Sequence, residues 1–162
     1  MRRLYSPWRS QYINTFKHGS KPAKCLFCRI AKEKKDAQNL VVWRGKLVYV
    51  VLNRFPYNSG HVMVVPYKHT ADFSKLTASE NTELMSTTSK CLKVFKKLNG
   101  PHGFNFGANL GRVAGAGIED HIHFHIVPRW NGDTNFMPVV ADTKVISEDL
   151  KVLADRMRKA MK

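Results

Sequence analysis

The nine-residue run His121-Ile122-His123-Phe124-His125-Ile126-Val127-Pro128-Arg129 limits the fold of this chain more than any other stretch. Helical side chains recur every 3.6 residues and strand side chains every two. Only the shorter period separates three histidines from the apolar residues between them. The run therefore predicts a β-strand that sends Ile122, Phe124 and Ile126 into a core and leaves His121, His123 and His125 on the other face. At a strand rise of about 3.3 Å per residue, neighbouring imidazoles project roughly 6.6 Å apart. Groups so spaced cannot serve one small atom equally, so a division of labour among them is expected.

The same reading for period predicts an α+β chain. A short helix is expected around Cys25 to Lys34, followed by strands at Leu40–Trp43, Leu47–Leu52 and Gly60–Val65, with turns at Gly45 and Asn58-Ser59-Gly60. Thr77-x-x-Glu80 is a capping box that opens a long helix. Its inner stripe is Leu84, Thr88, Cys91, Leu92, Phe95 and Leu98, and Asn99-Gly100-Pro101 ends it. A strand near Gly103–Asn109, a Gly/Ala-rich loop and the histidine strand follow, and Ser147 is expected to cap a terminal helix reaching about Met161. Consecutive strands with bunched helices predict an antiparallel sheet of about five strands, with the long helix and the C-terminal helix packed against it. One domain is expected over residues 1–162, divided into an arm over 1–22, a core over 23–130 and an extension over 131–162.

Composition narrows the class. A hydrophobic content of 43% with 24% charged residues is that of a globular protein. No run approaches the ~20 apolar residues of a membrane span. The opening Met1 to Arg9 is basic with no apolar stretch behind it, so no secretory signal and no membrane partner are expected. Three cysteines make no even disulfide framework, and Cys25-x-x-Cys28 in an intracellular setting points to metal or redox use; the expected location is cytoplasmic. The net charge of +15 favours polyanions, either nucleotides with several phosphates or nucleic acid. The basic residues are spread along the chain, on predicted outer helix faces, so charge alone names no partner.

The loop Gly111-Arg112-Val113-Ala114-Gly115-Ala116-Gly117 lies directly before the histidines, where small residues and successive N–H groups can cradle an anion. Beside that loop, the triple-histidine run resembles the His-φ-His-φ-His-φ-φ signature of the histidine triad superfamily of nucleotide hydrolases and transferases. Leu52-Asn53-Arg54 and Gly60-His61-Val62-Met63-Val64-Val65-Pro66 look like that family's nucleoside-binding strand pair. Asn109, twelve residues ahead of His121, matches its polar catalytic-strand amide. Pro128-Arg129-Trp130-Asn131-Gly132-Asp133, Ser6-Pro7-Trp8-Arg9 and Asn135-Phe136-Met137-Pro138 are similar to the branch that cleaves dinucleoside polyphosphates, bacterial diadenosine tetraphosphate phosphorylases among them.

The resemblance implies that His123 attacks the α-phosphorus and forms a nucleotidyl-histidine intermediate, with water or inorganic phosphate as acceptor in the second step. Neutral imidazole, with an ordinary pKa of about 6.5, is a competent nucleophile at neutral pH. His125 and Asn109 would donate to phosphate oxygens, with backbone amides of Gly115, Ala116 and Gly117 beside them. Asn53 would bind ribose hydroxyls, Phe27, Val51 and Leu52 would flank the base, and Trp130 would either stack on a base or pack. Ala116-Gly117 stands where many members carry Ser or Gln, which leaves backbone donors there. The resemblance also implies a structural zinc held by Cys25, Cys28, His69 and His121 as a tetrahedral Cys₂His₂ set. It further implies a homodimer, for which Phe136, Met137, Val139 and Val140 are available. His61 is expected as a strand histidine behind the site, at most supporting it.

Two other readings stay open on the residues. His-x-His on a strand can hold a catalytic metal, with Glu119, Asp120 or Asp133 completing the ligands. The basic surface could instead serve nucleic acid, but no reading motif accompanies it, and nucleic acid is not the expected partner.

Overall fold

The computed structural model describes residues 25–133 and 146–162; the predicted arm over 1–22 and the apolar residues Phe136 to Val140 lie outside these. The Cys-x-x-Cys segment folds as α1 (Leu26–Lys32), and a second short helix, α2 (Asp36–Asn39), follows. Strands β1 (Val41–Arg44), β2 (Val48–Leu52) and β3 (Val62–Pro66) come next. The long helix α3 (Ala78–Asn99) then carries the chain over the sheet to β4 (Gly103–Gly107), β5 (Phe124–Arg129) and the terminal helix α4 (Leu150–Ala160). All neighbouring strands are antiparallel, in the order β1-β2-β3-β5-β4. The crossover made by α3 lets β5 enter beside β3 and puts β4 on the far edge.

Period-two alternation builds two cores, one on each face of this sheet. On the helix face, Val48, Val50, Leu52, Val62, Val64, Ile122, Phe124 and Ile126 meet Leu84, Cys91 and Phe95 of α3 and Leu153 and Met157 of α4. On the other face, Tyr49, Val51, Met63 and Val65 meet Phe27 and Ile30 of α1. The predicted stripe of α3 holds, with Thr87 and Val94 also buried and Leu92 and Leu98 partly buried. Lys93, Lys96 and Lys97 occupy its outer surface.

The capping box forms as expected: Glu80 N–H donates to Thr77 Oγ1 at 3.2 Å and Thr77 N–H donates to Glu80 Oε2 at 2.7 Å. Gly100, at φ 54°, ends the helix in the left-handed region. Ser147 does not cap α4. Asp149 does, its carboxylate accepting from Lys151 N–H and Val152 N–H, while Ser147 bonds Ser59 through both its N–H and its hydroxyl. A carboxylate directly before the first turn suits the partial positive charge of a helix start.

The histidine segment differs from the prediction in one respect. Its ladder with β3 begins at Val64↔Phe124, so His125 is paired within the sheet but His121 and His123 precede it. Ile122 N–H goes instead to Thr70 O, at 2.7 Å. The alternation of faces nevertheless continues through the unpaired residues, because Ile122 is buried in the helix-face core.

A signal absent from the sequence pattern is Arg44. Its guanidinium donates to the carbonyls of Ile30, Ala31 and Glu33 at 3.0, 3.0 and 2.9 Å and to the Asp36 carboxylate, closing the C-terminal end of α1 onto the sheet. Among the described residues no helix is long and apolar enough to cross a membrane. At the turn into β3, Gly60 has φ 78°, and a Cβ there would meet Phe95 Cε1 at 2.8 Å and Pro128 Cγ at 3.1 Å. Gly60→Ala is therefore expected to destabilise the fold by more than about 1 kcal/mol, read as a lower urea midpoint at unchanged slope.

Candidate active site

The three histidines face α1, on the side of the sheet away from the long helix. The Phe27 ring lies 4.8 Å from the His123 ring and 5.4 Å from the His121 ring, centroid to centroid. His123 and His125 are 4.9 Å apart and nearly perpendicular, a closer approach than the strand rise alone gives. All three are buried.

Their hydrogen-bond partners assign a different tautomer role to each. His121 Nε2 lies 2.8 Å from Pro66 O, and a carbonyl only accepts, so that nitrogen carries the proton and Nδ1 presents a lone pair. His123 Nδ1 lies 2.8 Å from His121 O, which by the same logic leaves a lone pair on Nε2. The third assignment runs through His61. Tyr57 N–H donates to His61 Nδ1 at 3.0 Å, so His61 donates from Nε2 to His125 Nδ1, 2.8 Å away. His125 therefore carries its proton on Nε2, a buried atom that bonds no protein group. A lone-pair nitrogen and an unengaged N–H donor thus sit on neighbouring rings.

Burial lowers the pKa of all three imidazoles. For His125 the pKa falls to about 4, with desolvation the main cause and the neighbouring His123 second. His123 and His125 are accordingly neutral at physiological pH.

A second cluster lies at the start of the same segment. The ligand atoms of Cys25, Cys28, His69 and His121 all lie within 4.8 Å of one another. His121 Nδ1 is 3.4 Å from Cys25 Sγ, 3.6 Å from Cys28 Sγ and 3.3 Å from His69 Nδ1; Cys28 Sγ is 3.4 Å from His69 Nδ1. Two sulfurs and two ring nitrogens converge here, a donor set that could hold a metal ion. Burial, and next the Cys25 side chain, raise the Cys28 thiol pKa, so binding of a metal would release its proton. This is the one group of three or more potential metal ligands among the described residues, and it coincides with the predicted set.

The other predicted residues divide. Asn53 lies on the histidine side of the sheet, its Nδ2 3.3 Å from His61 Nδ1 and its Oδ1 accepting from Phe55 N–H. Asn109 donates to Gly115 O at 3.3 Å and so braces the glycine loop. In that loop the N–H groups of Gly115 and Ala116 are bound internally, to Arg112 O and Gly111 O, which corrects the expectation that both serve as anion donors; Gly117 lies beyond these turn bonds. Phe27 is 1% exposed, seated beneath the histidines. Leu52 belongs to the helix-face core, on the opposite side of the sheet from the triad, because register gives that face to Val51 instead. Trp130 is held at the end of α3, its indole N–H donating to Asn99 O at 3.2 Å, and lines a separate cavity with Asn58, Asp133 and Ser147. His61 stands behind the site and bonds His125, 64 positions away.

A buried imidazole with an outward lone pair, an N–H donor beside it and a glycine loop thus meet on one face of an antiparallel sheet. The HIT domain model matches residues 34–132, and the chain belongs to this histidine triad family of nucleotide hydrolases and transferases. The AP-4-A phosphorylase of Mycobacterium tuberculosis H37Rv is 43% identical over 157 residues, covering 93% of this chain and 80% of that one. A HIT-like protein of Methanocaldococcus jannaschii is 39% identical over 109 residues, covering 67% of this chain and 81% of its own length. Among solved structures, a Zn-bound histidine triad family protein from Mycobacterium smegmatis shares the fold at a TM-score of 0.67 and 23% identity, over 85% of this chain and 93% of that one.

Because the folded protein lowers the His125 pKa below its unfolded value of about 6.5, it favours the neutral ring. The associated stability is full above about pH 6.5 and is lost as pH falls towards 4. An NMR titration should place the His125 midpoint near 4, with the melting temperature declining over the same interval. A midpoint at the unperturbed value would contradict the buried, uncharged site.

Proposed function

We propose that this chain cleaves dinucleoside polyphosphates such as diadenosine tetraphosphate by nucleotidyl transfer through His123, with inorganic phosphate as the acceptor. The observation that carries the reading is the pairing of the His123 Nε2 lone pair with the unengaged His125 Nε2–H. His123 Nε2 forms a bond to the α-phosphorus as the bond to the bridging oxygen breaks and ATP leaves. His125 donates to a phosphate oxygen whose charge grows in that step, in a site where a fixed donor needs no reorganisation. Phosphate then attacks the nucleotidyl-histidine, giving ADP and returning the free imidazole. Asn53 is assigned to the ribose hydroxyls, and Gly117 to a backbone contact with the phosphates. The relationship to the mycobacterial phosphorylase supports phosphate over water as acceptor.

The metal at the cysteine–histidine cluster is read as zinc. At Zn–N of about 2.0–2.1 Å and Zn–S of about 2.3 Å, tetrahedral corners lie about 3.3 Å apart for two nitrogens and about 3.6 Å apart for nitrogen and sulfur. The separations of 3.3 Å between His69 and His121 and 3.4, 3.4 and 3.6 Å between sulfur and nitrogen follow that frame. The ion would be structural, since four protein ligands leave no open position. A catalytic metal on His123 and His125 lacks support: the Asp133 carboxylate accepts from Arg129 and Asn58, and Glu119 faces Arg112 at 3.8 Å.

A second copy of the chain is the proposed cover for the β4 edge. Phe106 and Phe73 are 43% and 47% exposed there, both against Phe124, and a strand edge beside an apolar patch favours self-pairing. Sedimentation equilibrium should show a dimer at micromolar concentration, and Phe106→Lys should shift it to monomer; a monomeric wild type would reject this surface.

The activity is tested by product analysis of diadenosine tetraphosphate with and without inorganic phosphate. ADP plus ATP is expected, whereas AMP plus ATP would assign the second step to water. His123→Ala should lose at least about a thousandfold in turnover. Unchanged cleavage by that variant would remove the proposal altogether.

A further inference from the structure

The carbonyl that orients the nucleophile belongs to a residue no sheet pairing holds. His121 precedes the ladder, which begins at Phe124, yet its oxygen accepts the His123 Nδ1–H bond at 2.8 Å. What holds His121 is its own ring, with Nε2–H on Pro66 O and Nδ1 in the cysteine–histidine cluster, together with the Ile122 N–H bond to Thr70 O. Pro66, His69 and Thr70 belong to one short segment, so an ion bridging His69 and His121 clamps that segment to the start of the histidine run. Phe27, between the two cysteines, touches both the His121 and His123 rings.

We infer that Cys25, Cys28 and His69 are positioning residues for the nucleophile, acting through the side chain and carbonyl of His121; this rests on the reading of His123 as the attacking group. With no ion, His121 Nδ1 keeps at most a weak hydrogen bond from His69 Nδ1 at 3.3 Å or from a thiol within 3.6 Å, a far softer restraint on the ring than a metal–ligand bond. Turning the ring moves the peptide that carries the carbonyl, and the His123 imidazole loses the bond that selects its outward nitrogen.

The test compares the full-length protein loaded with Zn²⁺, at one ion per chain by elemental analysis, with His69→Ala and His69→Cys. His69 is exposed, so neither substitution opens a core. His69→Ala should lose the ion and slow single-turnover nucleotidyl transfer to His123 by about 100-fold, the scale of a small misplacement of a reacting group. Affinity for a non-hydrolysable dinucleoside polyphosphate should be unchanged. In the NMR spectrum the His123 Nδ1–H proton, slow to exchange in the loaded protein, should broaden. His69→Cys keeps four ligands and should restore both the rate and the proton signal. The inference is overturned if ion-free His69→Ala, held well below its melting temperature, retains the wild-type transfer rate and a protected Nδ1–H. If the wild type forms no nucleotidyl-His123 at all, the proposed activity fails and the proton signal alone decides the positioning role.

Discussion

One hydrogen bond, from His123 Nδ1–H to the carbonyl two residues earlier, sets the chemistry of this site. An imidazole free to choose its tautomer would present a proton or a lone pair to the pocket indifferently. Pinning one nitrogen to an oxygen that can only accept removes the choice. The same device recurs at His121 against Pro66, and in mirror form at His125, where His61 donates and so sends the proton outward. Three chemically identical side chains, alternating along one segment, come to present two lone pairs and one N–H through their partners alone. The division of labour that spacing demands is thus carried out by the main chain and by one distant histidine.

Both faces of the sheet contribute. Ile122, Phe124 and Ile126 bind the run to the helix-face core, which fixes the direction in which the histidines project. On their own side, Phe27 and Met63 supply the apolar surroundings that lower the imidazole pKa values and keep them neutral. The net charge of +15 plays no visible part in that geometry. Its arginines largely meet acids, as Arg44 meets Asp36 and Arg129 meets Asp133, while lysines such as Lys93 and Lys97 line outer helix surfaces.

Much of this architecture is legible in the amino-acid sequence, and the physics of each element explains how much. Period two in the histidine run and the Thr77–Glu80 box are local patterns, and both appear where the residues put them. The full metal cluster follows from family resemblance rather than from spacing, since His69 and His121 are far from the cysteines in sequence. Local pattern fails wherever a long-range partner decides the outcome. Arg44 reads as an ordinary strand end until its carbonyl acceptors are seen. Leu52 and Asn53 read alike as site residues, although period two sends such neighbours to opposite faces, and which one shares the histidine side is decided by the core that Leu52 joins. Trp130 reads as available to a base, but Asn99, 31 positions earlier, holds its indole. In the glycine loop, small residues announce room for a ligand without showing that two of the amides close the loop on itself.

The helix α1 has seven residues, too few to persist alone in water. It exists because it is grasped along its length: Arg44 takes its last carbonyls, and the buried Tyr49 hydroxyl donates to Phe27 O at 3.0 Å. Both anchors sit on strands β1 and β2, so the cysteine-bearing turn acquires its shape only once that hairpin has assembled. The alignment of the thiols is therefore coupled to the integrity of that hairpin. By the same coupling, an ion held by those thiols would in turn steady the pairing of β1 with β2.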